Sequence, residues 1–535
     1  MPTFEVSKDK LVKRIGKPIS DDKLADRIAM MGAVVEKMDG DVWVIEAFPN
    51  RPDLMSEEGM ARALRGFLGI ETGLAKYVVK KSDYKAVVGK SVAKVREHVV
   101  AAVVKGISID EEALVSLMQM QEKLHTTHSR NRKLASIGVY DLGAIEFPVK
   151  YTTVRGDYKF VPLEYRREMT VSEILRDHPK GKDYAHLLHG TNLYPLWVDA
   201  KGQVLSLPPV INSAETAVTP ETTDVFIDVT GLNKRVVEQA LHIIVAQLID
   251  AGGKAFLVHF GGSATPNMEP RRMRLDLAYC NKLLGLSLDW KQAKKLLEKM
   301  RYGVDGDEVL VPAYRTDVLH PIDLVEDVAI AYGYENFEPV IPGISTIGGE
   351  GKEAVVERKV AEAFAGFGFL ECNTYHLTGS EMPARMRSPA QLVMAKNPVN
   401  VNYNAIRNSL LPGLLQILSE NKHYEYPQRL FDVGRVVADR KSLAEEQRLA
   451  AVSCNARADF TEAKSYVESL LASLGVEPSF RAVKHPSFLD GRAAAVVVNK
   501  KEIGVVGEIH PEVLTNFGVD LPVAAFEFGL KALTF

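Results

Sequence analysis

The segment Asp317-Val-Leu-His-Pro-Ile-Asp-Leu-Val-Glu-Asp327 gathers acids at a spacing that could do chemistry. Asp323, Glu326 and Asp327 recur at i, i+3 and i+4, which on a helix is one face. Pro321 suits a helix start, where its missing N–H would have no partner in any case. Asp317 lies upstream in a loop and can fold back toward that face. Oxygen donors converging in this way, with no cluster of cysteine or imidazole beside them, suit a hard cation, Mg2+ before Zn2+. The competing reading is electrostatic: a helix dipole favours acids near its N-terminus whether or not a metal binds.

Other common catalytic signatures are missing. The sequence has no GxxxxGK[ST] loop to cradle phosphates, no GxSxG elbow, no GxGxxG opening a βαβ unit and no HExxH. The cysteines Cys280, Cys372 and Cys454 are far apart and form neither a CxxC pair nor a zinc spacing, which fits a reducing cytoplasm. The first residues, MPTFEVSKDKL, lack the apolar stretch of a signal peptide, and no apolar run approaches a membrane span. A net charge of −3 supplies no global field toward nucleic acid, so RNA binding would use local patches or a partner chain. The basic runs Arg130-Asn-Arg-Lys133, Arg166-Arg167 and Arg271-Arg272-Met-Arg274 are the candidates, and short runs of this kind are commonly solvated surface.

The elements that must position these residues can be read in order. At 535 residues the chain is too long for one core. The opening predicts a helix over 22–31 closed by Gly32, and a hairpin over 33–48 turned at Asp39-Gly40. Asn50-Arg-Pro-Asp53 is a turn. Ser56 is an N-cap for a helix with Met60, Leu64, Phe67 and Leu68 on one stripe. In a larger middle block, 136–141 is a short strand and Thr170 to Glu173 a capping box. The run 204–213 is a strand broken at Pro208-Pro209, 224–230 a strand, and 234–249 a helix stopped by Gly252-Gly253. Residues 271–342 read as two helices, the second over 290–300, a hairpin turned at Asp305-Gly306, and the acidic helix 321–333. A Pro/Gly-rich linker follows. The last block predicts a helix over 352–367, strands over 371–377 and 430–437, a mainly helical stretch over 404–422, and alternating strands to the end.

Several segments then occur in an order characteristic of one family: NRPDLMSEEGMARALRGFLG (50–69), SIGVYDLG (136–143), FIDVTG (226–231), YRTDVLHPIDLVEDVAIAYGY (314–334) and NPVNVNYNAIRNSLLPGLL (397–415), continued by FDVGRVV, HPSFLDGRAA and IGVVGEIHPEVL. The chain resembles the phenylalanyl-tRNA synthetase beta subunit in its shorter archaeal form, over nearly its whole length. The resemblance implies a multidomain α+β fold. It implies an N-terminal α+β domain over residues 1–75, a mixed α/β tRNA-editing domain over 76–262 and a winged-helix-like Mg2+-binding module over 270–345. It further implies that residues 350–535 are an antiparallel-sheet domain resembling a class II synthetase, catalytically inactive and building the subunit interface.

The resemblance implies Mg2+, shared with an alpha subunit, on Asp317, Asp323, Glu326 and Asp327. It implies an editing pocket around Asp228 and Thr230, with Ser206, Asn212, Ser213 and Glu215 on the facing loop. Asp228 would hold a tyrosine's amino group or phenolic proton. ATP would be a substrate of the complex, with the synthetic site on the alpha subunit of an α2β2 heterotetramer acting on tRNA-Phe in the cytoplasm. Two rival readings stay open here: a non-catalytic RNA-binding scaffold and a free-standing deacylase for mischarged tRNA.

Overall fold

The computed structural model describes residues 2–107, 111–344 and 346–533. The chain divides into two compact units, Met1–Val340 and Ile341–Phe535; Ser345 of the Pro/Gly linker lies outside the described residues.

The first unit opens with an antiparallel sheet ordered Thr3–Ser7, Val42–Ala47, Ala33–Asp39. Trp43 and Ile45 alternate inward on its middle strand, and helices Lys8–Ile15, Asp21–Met30 and Glu57–Phe67 accompany it. The Thr3–Ser7 strand and the Lys8–Ile15 helix were not anticipated, because each carries its apolar period over too few residues. Ser56 caps the third helix by accepting from Gly59 N at 3.1 Å. Arg51, Pro52 and Asp53 of the NRPD turn are buried, and Arg51 grips Asp53 with two hydrogen bonds of 2.9 Å.

The middle block is built from two five-stranded sheets. The first is ordered Val79–Lys80, Lys254–Phe256, His98–Lys105, Asp224–Gly231, Ala135–Asp141. The second is ordered Ile211–Asn212, Val204–Leu207, Tyr194–Val198, Val149–Val154, Ala86–Val88. Alternation along Asp224–Gly231 decides what each face does. Val225, Ile227 and Val229 join the core that holds Val237, Leu241 and Ile244 of the helix Lys234–Asp250. Phe226 points the other way, into a core with Tyr140, Tyr151 and Trp197. Its ring lies 5.8 Å from both Tyr140 and Trp197. Each such ring removes about 150–250 Å² from water, worth several kcal/mol at about 25 cal/mol per Å². That aromatic layer supports the polar residues Asp228 and Thr230, which continue the same face of the strand.

Residues 271–333 carry a three-stranded sheet ordered Arg271–Arg274, Glu308–Val311, Gly303–Asp305, with helices Leu277–Leu284, Trp290–Lys299 and Pro321–Tyr332. The segment opens with the strand Arg271–Arg274 where the sequence predicts a helix. Its arginines lie opposite an acidic hairpin: Arg272 pairs with Asp305 and Glu308, and Arg274 with Asp307. The basic run is therefore an ion-paired strand.

The second unit is a seven-stranded sheet ordered Leu370–Glu371, Gln428–Asp439, Ala444–Cys454, Val523–Gly529, Lys501–Ile509, Phe488–Val498, Ser479–Ala482. Its pairs are antiparallel except the first. One core joins helices Lys352–Gly366 and Phe460–Ser473 to the sheet, and a second joins Leu411–Glu420 and Pro511–Phe517. The mainly helical stretch expected over 404–422 shrinks to Leu411–Glu420, because Ala405–Ile406 pairs in a small separate sheet. The strand expected over 371–377 is two short edge segments, Leu370–Glu371 and Leu377–Thr378. Arg407 is buried and structural: Nη1 donates to Thr374 O at 2.9 Å, Nε donates to Arg435 O at 2.9 Å, and Asp432 lies 3.4 Å away.

Candidate active site

A cavity of about 450 Å³ is lined by Asp228 and Gly138 of the first sheet, by Ser206 and Asn212 of the second, and by the Glu111–Thr126 helix. Asp228 reaches it from the centre of its strand and is 1% exposed. The Tyr140 hydroxyl donates to Asp228 Oδ1, and Ser206 Oγ lies 2.7 Å from the same phenol oxygen. Burial pushes the Asp228 carboxyl up to about 7, against the opposing pull of Tyr140, Trp197 and Arg96. An acid poised near neutrality in a cavity wall is a common mark of a functional site.

Gly138 makes this possible. It pairs with Asp228 across the ladder, and a Cβ there would overlap Asp228 Oδ1 and the Tyr140 hydroxyl. The missing side chain is the space that the carboxyl and the phenol occupy.

Of the residues anticipated for the pocket, the structure brings Asp228, Ser206 and Asn212 to the cavity wall. Asn212 Nδ2 donates to Val139 O at 3.2 Å, which ties the two sheets together beside the cavity. Thr230 is buried behind it: its Oγ1 accepts from Arg96 Nε at 3.1 Å and sits 3.2 Å from Ser136 Oγ. Ser213 is buried in the facing turn, where its Oγ accepts from Glu215 N at 3.3 Å, and Glu215 itself is exposed. Tyr140 and Gly138 were overlooked. Both stand in the SIGVYDLG strand, and their i, i+2 spacing, which puts them on one face of a strand, was the available signal.

The four acids of residues 317–327 are not brought together. Arg315 donates to both oxygens of Asp317, at 2.9 and 2.7 Å, and reaches Asp327 Oδ2 at 2.5 Å. The Tyr302 hydroxyl also donates to Asp327. Burial would raise the Asp317 carboxyl, but Arg315, with Arg51 beyond it, outweighs burial and holds it at about 2. Asp323 accepts from Leu319 N at 2.6 Å and His320 N at 2.8 Å, closing a capping box on Pro321–Tyr332. Glu326 is exposed. Among the described residues no group of three or more His, Cys, Asp or Glu side chains could hold a metal ion. The donor set of this chain therefore does not fit Mg2+, since a guanidinium already fills the cationic position between Asp317 and Asp327.

Family models match three segments of the chain: the B3/4 domain over residues 107–244, the tRNA synthetase B5 domain over 273–334 and the phenylalanyl tRNA synthetase beta chain CLM domain over 338–530. The phenylalanine–tRNA ligase beta subunit of Archaeoglobus fulgidus is 43% identical, with 99% of this chain and 98% of that protein covered. The chain belongs to the phenylalanine–tRNA ligase beta-subunit family. The beta subunit of Thermococcus kodakarensis is 39% identical, covering 100% of this chain and 99% of its own length. The crystal structure of an N-terminal fragment of the phenylalanyl-tRNA synthetase beta subunit from Pyrococcus horikoshii is similar with a TM-score of 0.60 and 39% identity, over 62% of this chain and all of that fragment. Within this beta-subunit family framework, the Asp228 cavity falls inside the B3/4 match and the 317–327 acids inside the B5 match.

Proposed function

We propose that the Asp228 cavity is an editing site that hydrolyses tyrosyl-tRNA made in error by a phenylalanine-tRNA ligase. The observation that carries this is the buried pair of Asp228 and Tyr140 in the wall of a cavity large enough for an aminoacyl group. Tyrosine differs from phenylalanine by one hydroxyl, and a pocket for phenylalanine that works by shape alone rejects such an isostere only about a hundredfold. A second pocket that recognises the hydroxyl reverses the selection. A phenol entering it donates to Asp228, while phenylalanine would leave that acceptor unfilled at the cost of a buried polar group.

The bond to break is the ester between the aminoacyl carbonyl and the terminal ribose. Water adds to the carbonyl carbon, the ribose oxygen leaves with a proton, and free tyrosine is released. His125 cannot act as the base of a triad, because its Nε2 already accepts from Ile137 N at 2.9 Å. The nucleophile is water, and the neighbouring ribose hydroxyl of the tRNA assists it. Asp228 selects the substrate and the chain positions the ester.

In this reading the chain acts as the beta subunit of an α2β2 phenylalanine-tRNA ligase in the cytoplasm. The alpha subunit performs the ATP-dependent attachment of phenylalanine to tRNA-Phe. The parts are an α+β domain at 1–75, the editing domain at 76–262, a winged-helix-like module at 270–345, and a non-catalytic class II-like domain at 350–535 that forms the subunit interface. A Mg2+ shared with the alpha subunit would find only Glu326 exposed among the four acids of the module. The test is biochemical. The chain with its alpha subunit exchanges ATP with pyrophosphate and hydrolyses tyrosyl-tRNA-Phe but spares phenylalanyl-tRNA-Phe; the chain by itself gives no exchange. Equal hydrolysis of both esters by the complex would refute the reading.

A further inference from the structure

A small cavity lies where the Arg51–Asp53 turn and the helix Glu57–Phe67 pack against residues 300–315, all within the first unit. It measures about 10 Å³, room for one water-sized or monatomic ligand. Its wall holds Arg51, Arg62, Arg301 and Arg315, the ring of Tyr314 and a single carboxylate, Asp53. Asp53 is spent, because both of its oxygens accept from Arg51. The approach of the two parts is close. A Cβ on Gly66 would overlap Lys299 O and the Arg301 side chain. Arg301 itself has a φ of 66°, in the left-handed region that residues other than glycine seldom adopt.

Three of these guanidinium groups have partners for all but one nitrogen. Arg62 donates to Asp250 Oδ2 at 2.5 Å and to Asp53 O at 3.3 Å, which leaves Nε. Arg301 donates to Glu71 O and, at 2.9 Å, to Glu71 Oε1, which leaves Nε. Arg315 is occupied by Asp317 and Asp327, which leaves Nη1. The Tyr314 hydroxyl is likewise buried with no partner among the described residues. Burial pushes that phenol above its ordinary range against the pull of Arg62 and Arg301, so it keeps its proton. The four side chains are between 2% and 6% exposed, so bulk water does not serve them.

A guanidinium can only donate, and the phenol has a proton to give. Buried donors left unpaired are costly. One water has two lone pairs and could accept from two of the four. A monatomic anion has no such limit, and each contact to it is charge-assisted. The charges favour the same occupant. Asp250, Glu71, Asp317 and Asp327 pair the arginines from outside and do not line the cavity. Inside it, Arg51 and Arg315 disfavour each other's charge. A carboxylate or phosphate brings several heavy atoms, more than a space for one sphere admits. We propose that this cavity binds one chloride ion, held by Arg62, Arg301, Tyr314 and Arg315, which fastens the Glu57–Phe67 helix to the Arg315 network. The site is separate from the Asp228 cavity and does not depend on the editing reading.

The test uses bromide as the probe in crystals, since it replaces chloride and scatters anomalously. Crystals of the full chain grown in sodium bromide should show an anomalous peak in this cavity, within hydrogen-bonding reach of the four donors. In solution, chloride is exchanged for gluconate, an anion too large for the cavity, at constant ionic strength. The melting midpoint of the full chain should rise by about 2 °C for each tenfold increase in chloride above its dissociation constant. Tyr314→Phe keeps the ring under the Arg62 guanidinium, 3.9 Å from it, and removes one donor. It should move the onset of that rise to about tenfold higher chloride or more, the scale of one hydrogen bond to a charged group. No bromide peak in the cavity overturns the assignment, and so does a Tyr314→Phe chain with the wild-type onset. A peak together with a midpoint indifferent to chloride marks an adventitious ion only and overturns it as well. The crystal and the wild-type melts need no variant.

Discussion

Gly138 and Asp228 are partners on adjacent antiparallel strands, and the carboxyl of one fills the side-chain position that the other lacks. Substituting Gly138 by alanine tests this directly. The new methyl would displace both the Asp228 carboxyl and the Tyr140 hydroxyl. Misplacing groups of this kind by about 1 Å costs on the order of 100-fold in rate. Gly138→Ala should therefore lose hydrolysis of tyrosyl-tRNA by roughly that factor while phenylalanine charging by the complex persists. Deacylation and charging assays on one preparation check it.

The Asp228 carboxyl titrates at about 7 in the folded chain, above its ordinary range, because it is buried. Between about pH 4, where an unfolded aspartate titrates, and pH 7, the folded chain binds a proton that the unfolded chain has released. Stability therefore falls as pH rises through that window, by up to about 1.4 kcal/mol per unit, and levels off above it. Asp228→Asn keeps an acceptor for Tyr140 and removes the titration. Its stability gain over wild type should be near zero at pH 4 and grow to its full value by pH 8. Thermal melts at both pH values check this, and a gain independent of pH contradicts it.

The NRPD turn and the acidic segment meet in a buried ionic network. Arg51 is fixed by Asp53, and Arg315 holds Asp317 and Asp327. Removing one member of a buried pair strands the others, at a cost of about 3–5 kcal/mol. Arg315→Met should lower the unfolding midpoint of the chain at pH 7 accordingly. Because Asp317 is depressed to about 2, its part of the network is present above about pH 4 and lost as pH falls toward 2. The penalty of Arg315→Met, measured by denaturant titration, should shrink over that range.

Much of the framework was legible in the sequence because its signals were local. Ser56, the Thr170–Glu173 capping box and the turn at Gly40 all behave as their residue types dictate. Alternation in FIDVTG announced a strand, which the structure has as Asp224–Gly231, while Asp228 was singled out there only through the family resemblance. What lay beyond reach depended on partners distant in sequence. Arg315 stands two residues from Asp317, but that it also turns onto Asp327 depends on the packing of the helix, so three acids at helical spacing with a fourth upstream read as a cation site. Helical spacing was right, but Asp327 turns inward while Glu326 turns to solvent. Tyr140 and Gly138 reach the cavity only through strand register, which a single sequence does not specify.

The capping role of Asp323 separates fold from metal. Asp323→Ala removes the acceptor for Leu319 N and His320 N and should cost about 1 kcal/mol, with no change in the Mg2+ content of the chain. Glu326→Ala should leave stability unchanged. Elemental analysis alongside melts of both variants decides the point, and an Mg2+ lost with Asp323 would show that the acids do bind a cation together.

The most direct measurement is the rate at which the assembled enzyme hydrolyses tyrosyl-tRNA-Phe with and without the Asp228 carboxyl. Asp228→Ala should lose at least about tenfold of that rate, the scale of a hydrogen bond to a charged group, while charging phenylalanine at the wild-type rate. An Asp228→Ala enzyme that clears tyrosyl-tRNA as fast as wild type would contradict the placement of editing in this cavity.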